Sequence, residues 1–346
     1  MKLFLSVLLA TGLILLQSAG SNAQNRKKIN LSANFKIEQL APGVWVAINN
    51  PQYGKAICNA GIIDLGDKTI VFDPFMTASA ANELKVIAKQ LTRKQVTLVV
   101  NSHHHSDHIR GSQVFLPQAN IISTTTTRNE INRVERSEKE WENKFGAVLL
   151  EAVKKRSVNA TASANEELPF WIGYYEGMIE SSADLVTAVP DIVFDDSLWI
   201  EGSKMSVKLV ERKNGHTASD AVLLIPKLGI AFMGDLLCNG RHPWLSEGNT
   251  HSWRQSLKLF YEDAAYTKYL PGYGEVCGKE ELKILYQYLG DLQTVCDAAK
   301  TDSAQNALMN EPMPTAYRSW FCARFYQPNL QYLINTWKTS AAETLK

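Results

Sequence analysis

Four of the seven histidines in this 346-residue chain fall within Ser102-His103-His104-His105-Ser106-Asp107-His108. Core packing gives no reason to concentrate imidazoles in this way, whereas imidazole nitrogen and carboxylate oxygen are ordinary ligands of zinc. The run follows directly on Thr97-Leu98-Val99-Val100, a short apolar segment of the kind buried in a sheet. Where such a strand gives way to a loop, alternate side chains aim the same way, so His103 and His105 face one point. Asp107 and His108, further round the loop, face a second point nearby. Two ions that close share one hydroxide.

The surrounding pattern is that of a layered α/β protein. Residues 44–48 read as a strand; residues 60–65 and 69–72 form a further pair joined by the turn Gly66-Asp67-Lys68. Residues 80–94 carry Leu84, Ile87, Ala88 and Leu91 at helical spacing, and residues 119–123 return to a strand. Between about residues 128 and 190 no strand alternation is visible, and the reading is helical. That stretch holds the aromatic group Phe170, Trp171, Tyr174 and Tyr175, expected to pack an inserted helical segment onto the body, with a lid over a site as the alternative. Strands resume at 192–194, 198–200, 206–210, 221–225 and 230–233. The last third is helical: Leu282, Leu285, Leu289, Leu292 and Cys296 make an apolar stripe, and residues 317–337 suggest another helix.

The N-terminal segment has a different character. Met1-Lys2 is followed by an apolar run over residues 3–16 and by small residues ending in Ser21-Asn22-Ala23, the pattern of a cleaved signal peptide. The run is shorter than the roughly 20 residues a membrane-spanning helix needs, so no stable membrane anchor is expected and the mature protein is placed in the periplasm or outside the cell. The chain divides into a signal peptide (1–23), a flexible leader (24–34), a main domain (35–300) and a C-terminal helical extension (301–346). Lys plus Arg total 36 against 35 for Asp plus Glu, which argues against nucleic acid as a partner and for a small-molecule substrate. Five cysteines, an odd number, are scattered without a Cys-x-x-Cys knuckle and read as buried thiols, with no oligomeric state implied.

His-x-His-x-Asp-His directly after a buried strand resembles the signature of the metallo-β-lactamase superfamily. Asn214-Gly215-His216-Thr217-Ala218-Ser219-Asp220 looks like that family's glycine-histidine-threonine segment, and Phe232-Met233-Gly234-Asp235 like the segment that supplies a bridging carboxylate. The resemblance covers roughly residues 35–288 and implies a four-layer αββα sandwich with metal at one edge, between the sheets. It also implies roles: His103, His105 and His216 for a first zinc ion, Asp107 and His108 for a second, and Asp235 reaching one or both. Asp73, after residues 69–72, sits where the family keeps an acidic residue close to the metals, and is read as a buried hydrogen-bonded carboxylate. One departure stands out. The family's last metal histidine lies in Pro-Gly-His-Gly, whereas Leu270-Pro271-Gly272-Tyr273-Gly274 has a tyrosine there. Tyr273 is a phenolate ligand, or leaves a one-metal enzyme, or marks a relative without activity; His242 and His251 are the candidates to replace the missing imidazole.

A dication lowers the pKa of bound water to near 7, making hydroxide available at neutral pH. With Asp107 as the catalytic carboxylate, the expected chemistry is attack on an activated carbonyl: a β-lactam or other lactam, a lactone, an ester or a thioester. Alternatives are a non-catalytic metal- or ligand-binding relative and an iron-dependent oxidoreductase on the same fold. Arg241 is read as a surface loop residue, with a substrate carboxylate as its alternative partner, and Cys238 as a small buried thiol.

Overall fold

Side chains alternate across a strand, so a strand apolar on both sides must be covered on both. In β3 (Val44–Asn49), Trp45 and Ala47 join one buried cluster while Val44, Val46 and Ile48 join another. β4 (Ala60–Asp64) and β5 (Thr69–Phe72) are buried along their whole lengths and pair antiparallel through the expected turn. These belong to an eight-stranded sheet whose order follows the chain: β1 (Lys28–Ile29), β2 (Phe35–Ala41), β3, β4, β5, β6 (Leu98–Val100), β7 (Asn120–Thr124) and β8 (Ile192–Phe194). Pairing is antiparallel as far as β5 and parallel from β5 to β8. The structure, a computed structural model, describes residues 28–29, 32–52, 54–156 and 162–344. The segment 1–23 read as a signal peptide lies outside these, as does part of the leader 24–34; within that leader, Lys28 and Ile29 pair with the otherwise open edge of β2.

A second sheet of five strands has the order β13 (Lys268–Leu270), β12 (Ile230–Phe232), β11 (Ser219–Ile225), β10 (Val207–Lys213), β9 (Ser197–Ile200). All its pairs are antiparallel except β12 with β13. β11 divides its apolar residues as β3 does: Ala221, Leu223 and Ile225 face the first sheet, and Val222 and Leu224 face away. The sheets approach so closely that a Cβ on Gly61 would lie 2.3 Å from the Phe232 ring.

Helices close both outer faces. α1 (Ala78–Thr92), capped by the Thr77 hydroxyl accepting the Ala80 N–H, lays Ala80, Ala81, Leu84, Ile87 and Ala88 on the first sheet. On the second sheet lie α5 (Thr250–Glu262) through Trp253, Leu257 and Phe260, and α6 (Lys279–Ala298) through the expected Leu282-to-Cys296 stripe. The chain is thus an αββα sandwich with three stacked apolar layers. α2 (Ser106–Ile109) is one short turn; α3 (Thr125–Arg156) and α4 (Ala162–Ala183) pair over the stretch read as a helical insertion. Near the C-terminus, α7 (Asp302–Asn310) and α8 (Tyr326–Thr344) join the outer helical layer.

One sequence expectation fails here: residues 317–337 are not one helix. Cys322 adopts φ +61°, and Phe321 pairs with the 240–242 segment, donating its N–H to the Gly240 carbonyl at 2.9 Å and accepting that of His242 at 2.8 Å. Tertiary backbone pairing overrides local helical preference, and α8 starts only at Tyr326. Among the described residues no helix is long and apolar enough to cross a membrane.

Candidate metal centre

The topology brings the chemistry-bearing loops to one edge. β5 and β6 are parallel neighbours, so the residues after them, Asp73 and the His103-to-His108 run, emerge side by side. β12 and β13 are parallel neighbours in the facing sheet, so Asp235 and Tyr273 also emerge together. β11 runs antiparallel to β12, and His216 just before it reaches the same edge.

Each residue is then fixed locally. Asp73 accepts the Ser102 N–H at 2.8 Å, the Ser102 hydroxyl at 2.7 Å and His108 Nδ1 at 2.8 Å. Since the single Ser102 hydroxyl proton goes to Asp73, Ser102 Oγ is the acceptor for His103 Nδ1 at 2.8 Å. Both His103 and His108 therefore carry a proton at Nδ1, which leaves Nε2 as the nitrogen of each ring that can face a metal. His216 sits in a turn closed by Asp220, which accepts the Thr217 hydroxyl at 3.0 Å, and its ring packs edge-on to Trp253. Asp235 lies in a short 3-10 turn against Gly272, where a Cβ would stand 1.9 Å from Asp235 Oδ1. Only glycine leaves room for that carboxylate.

Two sets of ligand atoms result. His105 Nδ1 lies 3.0 Å from His103 Nε2 and 3.1 Å from His216 Nε2, and Asp235 Oδ2 lies 3.4 Å from His216 Nε2 and 4.0 Å from His103 Nε2. These four residues offer atoms all within 4.8 Å of one another. Beside them His108 Nε2 lies 3.2 Å from Asp235 Oδ1 and 3.8 Å from Asp107 Oδ2. His108 Nε2 and Asp235 Oδ1 are buried without hydrogen-bond partners, close to each other but not aligned as a hydrogen bond. Two orphaned polar atoms that converge on a common point fit a cation between them, since a buried unpaired polar group is otherwise costly.

The electrostatics agree with that fit. Burial, reinforced by the neighbouring imidazoles, drives the His103 proton affinity far down, and burial holds His216 at about 3 despite Asp235. Both are neutral rings with lone pairs to give. Burial also penalises a charge on His108, but Cys58, Asp235, Asp107 and Asp73 around it more than offset this and lift its pKa well above the usual value. Asp235, although buried, is pulled to about 2 by His108, His216 and His105. The floor of the site is built to hold positive charge at His108 Nε2 and negative charge at Asp235.

Tyr273, where the motif departs, reaches the second set through a short hydrogen bond from its hydroxyl to Asp107 Oδ2. Burial, together with Asp107 and Asp235, raises its pKa well above 10, which keeps the phenol protonated. The two spare histidines do not approach this point. His242 is engaged at both nitrogens, by the Tyr288 hydroxyl at 2.8 Å and the Tyr317 carbonyl at 3.1 Å, and His251 bonds Gln255 on the exposed face of α5.

Above the two sets opens a cleft of about 650 Å³ lined by Trp141, Trp171, Tyr174, Tyr175, Trp244 and Phe325 among others. The aromatic group of α4 thus both packs the helical segment and forms one wall. Arg241, read from sequence as a surface residue, is buried there, its guanidinium 3.8 Å from the centre of the Tyr273 ring and 4.7 Å from that of Phe170. It has no carboxylate partner among the described residues. Cys238 is a buried thiol beside it. Three further residues carry no signal in the sequence. The Cys58 thiol donates to the Asp107 carbonyl at 3.0 Å, Glu247 stands at the cleft beside His104 and His105, and Arg110 ties α2 to Glu135 and Glu142 of α3.

Residues 53–145 and 147–271 match the family described as the metallo-beta-lactamase superfamily. Solved structures that share the fold include three metallo-beta-lactamases. A metallo-beta-lactamase from Pontibacter korlensis is 14% identical with a TM-score of 0.51, covering 77% of this chain and 99% of its own. The metallo beta lactamase from Erythrobacter litoralis, with beta mercaptoethanol in the active site, is 18% identical with a TM-score of 0.52, covering 77% and 100%. The metallo-beta-lactamase FIM-1 from Pseudomonas aeruginosa, in its mono-zinc form, is 16% identical with a TM-score of 0.51, covering 75% and 96%. No curated protein matches the chain.

Proposed function

Because the chain belongs to the metallo-beta-lactamase superfamily, we propose that it is a zinc-dependent hydrolase that opens an activated carbonyl: a β-lactam or other lactam, a lactone, an ester or a thioester. The observation that carries this reading is the pair of convergent ligand sets on the floor of an open cleft. His103, His105 and His216 would hold the first ion and Asp107 and His108 the second, with Asp235 reaching one or both. Zinc bound there supplies Lewis acidity and hydroxide at neutral pH.

The chain's own groups do the rest. Asp107 is the catalytic carboxylate, accepting the proton of the attacking water, and the Tyr273 hydroxyl holds its Oδ2 in place. Tyr273 completes the second set through Asp107; direct ligation would require it to give up the proton that makes this bond. Arg241 faces the cleft with its charge unpaired and is suited to a substrate carboxylate, while the aromatic wall takes an apolar arm and excludes water. We further propose that residues 1–23 direct export and that the protein works in the periplasm or outside the cell on a small molecule, without nucleic acid or a stable membrane anchor. The apolar run and the near-neutral charge support this.

The test is a panel of chromogenic β-lactam, lactone, ester and thioester substrates, run with zinc-loaded and chelator-stripped protein. The proposal expects turnover of at least one class, lost on stripping and restored by zinc. Failure of the zinc-loaded protein on all four classes would overturn it and favour a binding relative without turnover.

A further inference from the structure

His104 lies inside the histidine run, yet neither ligand set uses it. Its ring is buried, and its Nε2 has no hydrogen-bond partner. Glu247 Oε2 lies 3.1 Å from that nitrogen without the alignment of a hydrogen bond, and 3.8 Å from His105 Nε2, the ring nitrogen turned away from His103 and His216. His104, His105 and Glu247 each offer a ligand atom, and these atoms lie within 4.8 Å of one another. A zinc ion with bonds of about 2.1 Å places tetrahedral ligands roughly 3.4 Å apart, and the two measured separations bracket that value. A carboxylate serving only to orient these rings would be aligned to accept their protons; here the buried His104 Nε2 is left without a hydrogen-bond partner. Glu138 on α3 lines the same cleft and lies within electrostatic reach of both rings.

We propose that His104, His105 Nε2 and Glu247 form a second divalent-cation site at the rim of the cleft, for zinc or a similar borderline ion. The inference rests on the reading that His105 Nδ1 serves the interior centre. A neutral imidazole has one lone pair. A rim ion therefore either takes His105 from the interior or removes its remaining N–H proton, one proton released for each rim ion bound. In the first case excess zinc weakens the interior centre; in the second it binds with a pH-dependent affinity.

The experiment is a zinc titration of the full protein by calorimetry, with protons released read from runs in buffers of different ionisation enthalpy. Wild type is compared with Glu247→Gln, His104→Gln and His216→Gln, and circular dichroism confirms that each variant is folded. Glu247 is partly exposed on a loop, so its variant keeps the test available if the buried His104 cannot be replaced. We expect wild type to bind one zinc equivalent more than Glu247→Gln or His104→Gln, with that weaker step at least tenfold impaired in both. His216→Gln should lose interior zinc and keep the rim step. If the two rim variants match wild type, or lose only interior affinity, the rim site is overturned while the interior reading stands. If His216→Gln matches wild type while the rim variants lose an equivalent, the interior reading fails and the rim site stands. No zinc uptake by any form overturns both.

Discussion

Replacing Asp73 by asparagine separates a structural carboxylate from one that sets the ligands of a metal. Asp73 Oδ1 accepts a backbone N–H, which cannot reverse its role, whereas Oδ2 accepts from the Ser102 hydroxyl and His108 Nδ1, both of which can. The amide introduced by Asp73→Asn therefore keeps its oxygen at the Oδ1 position and puts NH₂ at the Oδ2 position. His108, no longer facing that carboxylate, then gives up its Nδ1 proton, accepts there and keeps a proton on Nε2. Ser102 also becomes an acceptor, turns its own proton toward His103 Nδ1, and His103 follows. Both rings lose the inward lone pair while every hydrogen bond to the reversible groups survives with its direction reversed. Zinc-free stability should fall by about 1.5–3 kcal/mol, because the carboxylate removed faces a His108 ring that its neighbours hold charged. Zinc affinity should fall about 10- to 100-fold, the usual effect of losing such an outer partner, or roughly 1.4–2.7 kcal/mol. Urea unfolding of the zinc-free protein and competition against a chromophoric chelator measure the two. Unchanged zinc affinity would refute the proton relay.

Three further predictions bear on the centre. Tyr273→His returns an imidazole to the position where the motif departs, and should tighten the weaker of the two interior zinc ions, read by chelator competition; an unchanged or weaker second step would show that Tyr273 is not on that set. Arg241→Gln should raise KM about 10- to 100-fold for substrates bearing a carboxylate, the worth of a charged hydrogen bond, and leave KM for uncharged analogues nearly unchanged; equal effects on both would mean that Arg241 only packs. The share of zinc-free stability that depends on His216 should be lost as pH falls below 6.5. His216 is held at about 3 when folded against 6.5 when unfolded, so between these values the unfolded chain binds the extra proton. The slope reaches about 1.4 kcal/mol per pH unit for this one group, and His216→Gln should remove that share from urea midpoints taken at about pH 4.5 and 5.5, inside that window.

The centre was legible in the sequence because ligation demands rare residue types at short, fixed spacing. His103, His105, Asp107 and His108 fall together for that reason, and His216 and Asp235 stand out beside strand ends. The sandwich was legible because β3, β5 and β11 are apolar on both faces, and α6 carries an uninterrupted stripe. What sequence reading missed comes from contacts made only when distant segments meet. Arg241 is walled by the rings of Tyr273, Phe170 and Phe321, from three separate stretches, so nothing around position 241 announces its burial. Glu247 meets His104 across the cleft, Cys58 meets Asp107, and Arg110 crosses to α3, each without a local signal. The break before α8 arises likewise, from Phe321 pairing with the distant 240–242 segment.

The central claim is that this chain carries resident zinc on the two convergent sets. Elemental analysis of the protein purified without chelator and desalted tests it most directly. The account predicts one or two zinc ions per chain, falling when His103 or His216 is replaced. Iron in place of zinc, or essentially no metal even after incubation with zinc, would contradict it.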